Sequence, residues 1–489
     1  MNETTPRLLD AALWEGKVFT GQWVEGDSRQ PITEPATGEL LTIVGWAGPK
    51  TVATSAACAH AAQRNWASMP YLKRADVFRR AAALLELNRS EIIDWIVRET
   101  GAIVPFAEFQ IQGATVVLHE AAAMLTQSQG VMLPSDGDRL SFARRLPHGV
   151  VGIISPFNVP LVLSIRGVAP ALATGNSVLL KPDPQTAITG GFLIARLFEL
   201  AGLPRGCLHV LPGGADVGEA VVTDRHVSMV SFTGSTGAGR RVGELASRHL
   251  KKVTLELGGK NRLIVLDDAD LDLAASCAAW GGYLHQGQIC MATGIVLVHE
   301  RVAKEFTQKL VQKAKGLRVG NPAGRDVQLG PIINERQRDR IHHIVQSSIE
   351  QGCELLAGGQ FDRLFYQPTV LGKVKPGTPA FDDEVFGPVL SVVTFSDDDE
   401  AVALGNNSEY GLSLGIVSAS VTRALGIGNR IPTGLLHIND QTVGDEGHVP
   451  FGGRGASGNG GRHGGHANWD EFTQWQWVTV QDVAPSYPF

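Results

Sequence analysis

Charge is scarce in this chain. Of 489 residues only 19 % are Asp, Glu, Lys or Arg, and the net charge is −6. With a pI near 6.2, that balance argues against nucleic acid or an anionic membrane surface as a partner. It suits a large protein or a buried oligomer interface. Cysteine is scarce too: Cys58, Cys207, Cys277, Cys290 and Cys353 form an odd set with no CxxC spacing. A disulfide framework or zinc ribbon is therefore not expected, and free thiols fit a reducing, cytoplasmic compartment. No run of 18 apolar residues is present, so no membrane-spanning helix is expected. The opening MNETTPRLLDAALWEGK lacks the apolar core of a signal peptide. No internal repeat and no low-complexity tract interrupts the chain.

What it has in excess is glycine, 57 residues against a usual share of ~7 %. Collagen needs glycine at every third position, and disorder needs low hydrophobicity with high net charge. Neither fits a chain that is 43 % hydrophobic. The glycines are expected in turns and ligand-facing loops of a folded protein. Ten of them fall within the 22 residues 444–465.

Residues 1–50 read as short strands and turns. Residues 73–99 carry an amphipathic helix pattern that Gly101 stops. Between 150 and 257, five short apolar runs (150–154, 177–180, 208–211, 229–232, 253–257) alternate with helical patterns at 160–173, 185–201, 216–223 and 236–249. This alternation implies a parallel sheet covered on both faces. A second alternation follows, with strands at 264–266, 295–298, 389–395 and 414–418. Its helices fall at 270–284, 301–315, 334–351 and 398–407. The tail FTQWQWVTVQ and the segment DRLSFARRL (138–146) each suit an edge strand that pairs with another subunit.

Ligands bind parallel sheets at the carboxyl ends of the strands, and several chemically suggestive residues sit there. Ser231–Gly239 (SFTGSTGAG) runs from a strand into a helix. Its glycines let backbone N–H groups approach a phosphate, although a plain structural turn reads the same way. Lys181 ends an apolar strand, where a bare ammonium is costly unless it meets an anion or hydroxyl. Cys290 alone among the cysteines lies in a glycine-bearing turn, LHQGQICMATG, whereas Cys277 reads as helix packing. A lone cysteine is more often inert than reactive. Glu256, inside the apolar TLELGGKN, is either a general base raised toward neutrality by burial or one half of an ion pair.

Other matches have the wrong surroundings. Gly453-x-Gly455-x-x-Gly458 lacks the flanking strand and helix of a dinucleotide fingerprint. Gly411-x-Ser413-x-Gly415, with Asp440 and His448 downstream, leads into a strand rather than a helix, unlike a nucleophile elbow. His342, His343, His463 and His466 do not reach metal-ligand spacing, so no metal site is expected.

Together these stretches resemble the aldehyde dehydrogenase superfamily over essentially the whole chain. The matching segments are Ser155-Pro156-Phe157-Asn158, Leu180-Lys181-Pro182, FTGSTGAG, LELGGKN, GQIC, Glu384-Val385-Phe386-Gly387-Pro388 and PFGGRGASGNGGR. Asn158 to Glu256 is 98 residues, Glu256 to Cys290 is 34, and Cys290 to Glu384 is 94. Within the superfamily the chain is most similar to bacterial benzaldehyde dehydrogenases of aromatic-hydrocarbon breakdown. LLKPDPQTA, LHVLPGGADVGE, HIND, HVPFGG and the terminal SYPF carry that closer likeness.

The resemblance implies an α/β fold. A Rossmann-type NAD(P)-binding domain would span 1–125 and 148–257, and an α/β catalytic domain 258–440. A glycine-rich loop (441–468) would lie near the catalytic cleft, and 126–147 with 469–489 would form a β oligomerisation arm of a dimer or tetramer. It implies oxidation of a benzaldehyde-like aldehyde to the acid with NAD, NADP being possible. Cys290 would be the nucleophile, Asn158 an oxyanion donor and Glu256 the base for water. Ser155, Phe157, Lys181, Gly234, Ser235, Gly239, Leu257, Glu384 and Phe386 would contact cofactor. Leu161, Ile165, Ile289, Met291 and Phe451 would line the aldehyde pocket, with Arg166 able to turn toward it. Alternatives are aliphatic or semialdehyde substrates, or a non-catalytic protein that keeps the fold. Two positions depart from many relatives. Pro184 stands where a glutamate would meet the adenosine ribose, which leaves NADP open, and Ile295 stands where Arg or another polar residue is common.

Overall fold

The computed structural model describes residues 8–324 and 326–489; residues 1–7 of the first expected segment lie outside the described residues. Five parallel strands form the body of the first sheet, in the order Lys252–Glu256, Val227–Thr233, Val150–Ile154, Ser177–Lys181 and Leu208–Val210. The hairpin Lys17–Phe19 and Trp23–Glu25 extends it antiparallel. Val150–Ile154 and Ser177–Lys181 are buried at every position. That is why they read as unbroken apolar runs rather than alternating ones. The chain runs outward from Val150–Ile154 in one direction, then returns to its other side with Val227–Thr233. The crevice at this reversal, above the carboxyl ends, is where such sheets take ligands.

The second sheet repeats the design. Its order is Glu354–Ala357, Thr369–Gly372, Val389–Phe395, Thr293–His299, Asn261–Val265, Ser413–Val417 and Leu435–Ile438. Only Glu354–Ala357 pairs antiparallel. Ile295 is fully buried in this sheet's core, so its apolar side chain serves packing. A third, three-stranded sheet joins Thr473–Val480 to Leu140–Pro147 and then to Gly130–Met132. The two segments expected to seek another subunit therefore pair with each other, and Thr473–Val480 keeps one free edge within the chain.

The helix expected over 73–99 is two, Tyr71–Leu87 and Arg89–Thr100, broken at Asn88. The Asn88 side chain turns back to donate to the Leu84 carbonyl, a competition with the helix ladder typical of asparagine. Gly101 then stops the second helix at φ 72°. Helix Val104–Met124 packs on helix Pro160–Ala173, and Gly113 lets the two approach: a Cβ there would lie 3.3 Å from Val162.

Candidate active site

The turn before Cys290 is the most constrained backbone in the site. His285, Gln286 and Gly287 all have positive φ, at 49°, 57° and 67°. Each left-handed residue other than glycine costs about 1–2 kcal/mol, so surrounding contacts must hold the turn. They are visible. His285 Nε2 donates to the Asn158 carbonyl at 2.7 Å, and its ring stacks on Phe106 with centroids 4.5 Å apart. Gln286 Nε2 donates to the Pro331 carbonyl at 2.9 Å. Gln288 Oε1 accepts from Ile333 N at 3.0 Å. Burial drives His285 down to about 4, so the ring is neutral and its one N–H points at Asn158.

Asn158 closes the same circuit from the other side. Its Nδ2 donates to the Gln288 carbonyl at 2.8 Å. One amide hydrogen is thus spent on the turn that carries Cys290, and the other is left for a ligand. Asn261 Nδ2 donates to the Cys290 carbonyl at 2.8 Å. The nucleophile candidate and the oxyanion candidate are thereby fixed to one another, although they come from different sheets.

Glu256 ends its strand beside the crevice. The late glycine loop is stitched to it: Leu257 N donates to the Ser457 carbonyl at 2.9 Å, and Glu256 bridges Gly458. A Cβ on Gly452 would lie 2.7 Å from Glu256 Oε1, so glycine is needed for this approach. Neither carboxylate oxygen has a well-formed hydrogen bond. Burial raises the Glu256 pKa well above the usual carboxylate range, while Arg166 and Arg462 pull it back. Burial also pushes the Cys290 thiol up to about 12, with Glu384 and Glu256 adding to the shift and Arg166 opposing it. Cys290 and Glu256 thus feel one another's charge, and burial favours the uncharged form of each.

Cys290 opens onto a cavity of about 650 Å³ lined by Phe106, Phe109, Val116, Ile289, Met291 and Phe451 among others. Helix Pro160–Ala173 contributes Val162, Leu163 and Arg166, after Val159 from its cap. The expectation for Leu161 and Ile165 is corrected here. Both are fully buried in the core and absent from the cavity wall. Helical phase explains this: Val159, Val162, Leu163 and Arg166 share one face, and Leu161 and Ile165 share the other. Ser413, the serine of the discarded elbow pattern, donates to the Thr442 carbonyl at 2.7 Å and is buried without a histidine partner among the described residues.

Outside the lining of that cavity lie the residues suited to a dinucleotide. Lys181 ends its strand 9 % exposed, its ammonium lowered by burial and supported by Asp183 and Asp216. Ser235 caps helix Thr236–Arg248. A Cβ on the next glycine, Gly237, would meet nothing within 4 Å, so a phosphate can reach the helix N-terminus. Gly234 gives its N–H to the Glu256 carbonyl at 3.0 Å. Gly239 lets the helix close on Leu257, whose Cδ2 would be 2.3 Å from a Cβ. Ser155 donates its N–H to the Lys181 carbonyl and accepts from Ser164 Oγ at 2.6 Å. Phe157 and Phe386 meet edge to face at 5.9 Å, and Glu384 accepts the Gly259 N–H at 3.0 Å. An open helix N-terminus, a buried lysine and a half-buried glutamate fit a nicotinamide dinucleotide.

The aldehyde dehydrogenase family matches residues 23–478. The chain belongs to the aldehyde dehydrogenase family. The dehydrogenase is 54 % identical to a vanillin dehydrogenase of an Amycolatopsis species, over 99 % of this chain and 100 % of that one. It is 49 % identical to a benzaldehyde dehydrogenase [NAD(+)] of Pseudomonas putida, over 98 % of both chains. Among solved structures, a salicylaldehyde dehydrogenase from Pseudomonas putida complexed with salicylaldehyde superposes with a TM-score of 0.94. It is 32 % identical, over 97 % of this chain and 100 % of that one.

Sequence reasoning passed over three features of the site. His285 and Gln286 stand in the LHQGQIC segment that singled out Cys290, but consecutive positive φ leaves no trace in residue type unless every position is glycine. Arg462 sits in the late glycine loop and reaches Glu256 only after the loop folds back. Asp445 did carry a signal, as part of a carboxylate pair between Gly444 and Gly447 in that same loop.

Proposed function

We infer that this dehydrogenase oxidises an aromatic aldehyde to its carboxylic acid with NAD(P)+. The observation that carries the reading is Cys290 at the wall of a largely apolar, aromatic-lined cavity, with Asn158 and Glu256 converging on it. Such a cavity takes a benzene ring by burying it, and the relatives named for benzaldehyde and vanillin agree.

The chemistry follows from the residues. Glu256 takes the Cys290 proton as Sγ attacks the aldehyde carbon, forming a thiohemiacetal. The free amide hydrogen of Asn158 and the Cys290 backbone N–H stabilise the oxyanion. When bound, the nicotinamide dinucleotide supplies a hydride acceptor, held by Lys181, Ser235, Glu384 and Phe386. Once Glu256 has passed that proton to solvent, it deprotonates the water that hydrolyses the thioester remaining on Cys290, and the departing sulfur takes a proton back as the acid leaves. Burial raises the Glu256 pKa, so its ionised form pulls strongly on a proton.

Pro184 removes one carboxylate from the adenosine ribose, but Asp183 and Asp216 stand beside Lys181. Their charge disfavours a 2′-phosphate, so NAD is the better cofactor. Self-association through the free edge of Thr473–Val480 is supported by its exposed Trp475 and Trp477, since an exposed apolar edge invites pairing. A cytoplasmic setting is supported by five unpaired cysteines.

The reading is tested by mixing the protein with benzaldehyde and NAD and following NADH absorbance, with Cys290→Ala as control. Oxidation that disappears in the variant supports it. Undiminished oxidation in Cys290→Ala refutes the mechanism, and turnover of succinic semialdehyde without benzaldehyde refutes the substrate class.

A further inference from the structure

Lys260 is a lysine in a core position. It is among the largest fully buried side chains of the described residues, 2 % exposed, and its Nζ has no hydrogen-bond partner among them. Other buried cations near the site are held. Arg166 pairs with Asp445 through Nη2 and Oδ2, and Arg262 donates to the carbonyls of Lys260, Leu404 and Asn407. An ammonium buried without an acceptor destabilises the fold, so packing does not account for it. The surroundings nonetheless admit it. A Cβ on Gly294, in the neighbouring strand, would lie 3.2 Å from Lys260 Cδ and 3.4 Å from Nζ.

Its neighbour is Glu384. Glu384 Oε1 accepts the Gly259 N–H at 3.0 Å, and a Cβ on Gly258 would fall 2.2 Å from Glu384 Oε2. The carboxylate thus rests on the two glycines that precede Lys260, and Lys260, Glu384 and Phe386 line one narrow cavity. Burial lowers Lys260 to about 7, with Arg262 adding to the shift and Glu384, Asp383 and Asp382 opposing it. Burial raises Glu384, and the Gly259 N–H, Arg340 and Lys260 pull it back. Cys290 and Tyr410 also feel the charge of Glu384, but burial raises both, so they stay uncharged near neutrality. Below about 7 the Lys260 ammonium carries its charge. That is the acid range, where a half-buried carboxylate would otherwise take up a proton.

We propose that Lys260 is a positioning residue for the dinucleotide: its charge keeps Glu384 ionised against Gly258 and Gly259, ready to accept from the cofactor's ribose hydroxyls. Lys260 does not touch the cofactor and acts through the carboxylate. A buried charge that costs stability is then explained by ligand binding rather than by packing. The inference rests on the reading of Glu384 as a dinucleotide contact, and the test separates the two.

NAD binding is followed by titration calorimetry, without aldehyde, from mildly acid to mildly alkaline pH. In the wild-type protein the affinity is expected to fall by about tenfold or more on the acid side as Glu384 is protonated, the range for a hydrogen bond to a charged group. In Lys260→Met this acid limb is expected about one pH unit higher, the lower end of the effect of a nearby opposite charge. At alkaline pH, where Lys260 is neutral and Glu384 ionised, the two proteins should bind alike. Lys260→Gln takes its place if the methionine variant does not fold. The melting temperature without cofactor should hold or rise, because an unpaired buried charge has been removed. In Glu384→Gln the limb should disappear, and adding Lys260→Met should change nothing further. A limb that stays in place in Lys260→Met overturns the proposal, as does a loss of affinity that persists in the Glu384→Gln background. A lowered melting temperature with a loss of affinity equal at every pH marks a merely structural lysine and also overturns it. Wild-type affinity with an unchanged limb in Glu384→Gln overturns the reading of Glu384 as well.

Discussion

Gly287 is the position where backbone geometry and catalysis are most tightly joined, and Gly287→Ala tests that joint. Its φ of 67° costs an alanine about 1–2 kcal/mol. The added Cβ would also fall 2.2 Å from the Gly387 carbonyl oxygen, 2.6 Å from the Gly387 carbonyl carbon and 2.9 Å from the Gly282 oxygen. All three are backbone atoms, so no rotamer change relieves the clash. The turn must move by roughly 1 Å to restore ordinary contact. It cannot do so freely, because His285 is tied to Asn158 and Gln288 to both Asn158 and Ile333. Cys290 lies three residues on. A displacement of this size between reacting groups costs about 100-fold. The expected result is a fall of about 100-fold in kcat/KM for benzaldehyde, followed as NADH formation, with a melting temperature lowered by a few degrees. Gly352→Ala is the control. Gly352 has φ 98° but nothing within 4 Å of a Cβ, so it carries the strain without the clash and lies outside the site. It should lose stability and keep its kcat/KM. Wild-type kcat/KM in Gly287→Ala would refute the claim that this turn sets the position of Cys290.

Two further outcomes follow from the same geometry. Asn158→Ala removes an oxyanion donor and the tie to Gln288, and should lower kcat by at least the 10²–10³-fold typical of one such donor; a loss below about fivefold would argue against the role. The pH profile carries a sign. Glu256 must be ionised to accept a proton, and its raised pKa means that it is protonated in the acid range. kcat/KM should therefore fall as pH drops through that raised value. Arg462 lowers the Glu256 pKa, so Arg462→Gln should move the acid limb of the profile to higher pH. A limb that stays put or moves to lower pH would contradict this assignment.

Both parallel sheets were legible because their strands are buried on both faces and appear as short apolar runs between helical patterns. Thr369–Gly372 and Leu435–Ile438 were not, the first being four residues bounded by irregular turns and the second only half-buried. Helices Pro49–Ser68 and Val104–Met124 escaped for a similar reason. One is alanine-rich and the other is apolar on most sides, so neither shows a clean stripe. At the site, Cys290 and Glu256 stood out because a polar group inside a buried strand or in a glycine-bearing turn is costly without a purpose, whereas the role of Asn158 came only with the family resemblance. The pocket wall was harder to read. Neighbours of Asn158 in sequence include both faces of one helix, and only the helical phase in the fold separates Val162 and Arg166 from Leu161 and Ile165. The Arg166–Asp445 contact joins residues far apart in the chain, and no local pattern announces it.

The central claim is that the reaction passes through a thioester on Cys290 that Glu256 is needed to hydrolyse. Glu256→Gln, mixed with benzaldehyde and NAD and examined by intact-mass and peptide mass spectrometry, tests this directly. The account predicts a burst of NADH of at most one equivalent per site, slowed because the base for Cys290 is lost as well, and a single benzoyl group retained on the Cys290 peptide. Sustained turnover without an adduct, or a benzoyl group on another residue, would contradict it.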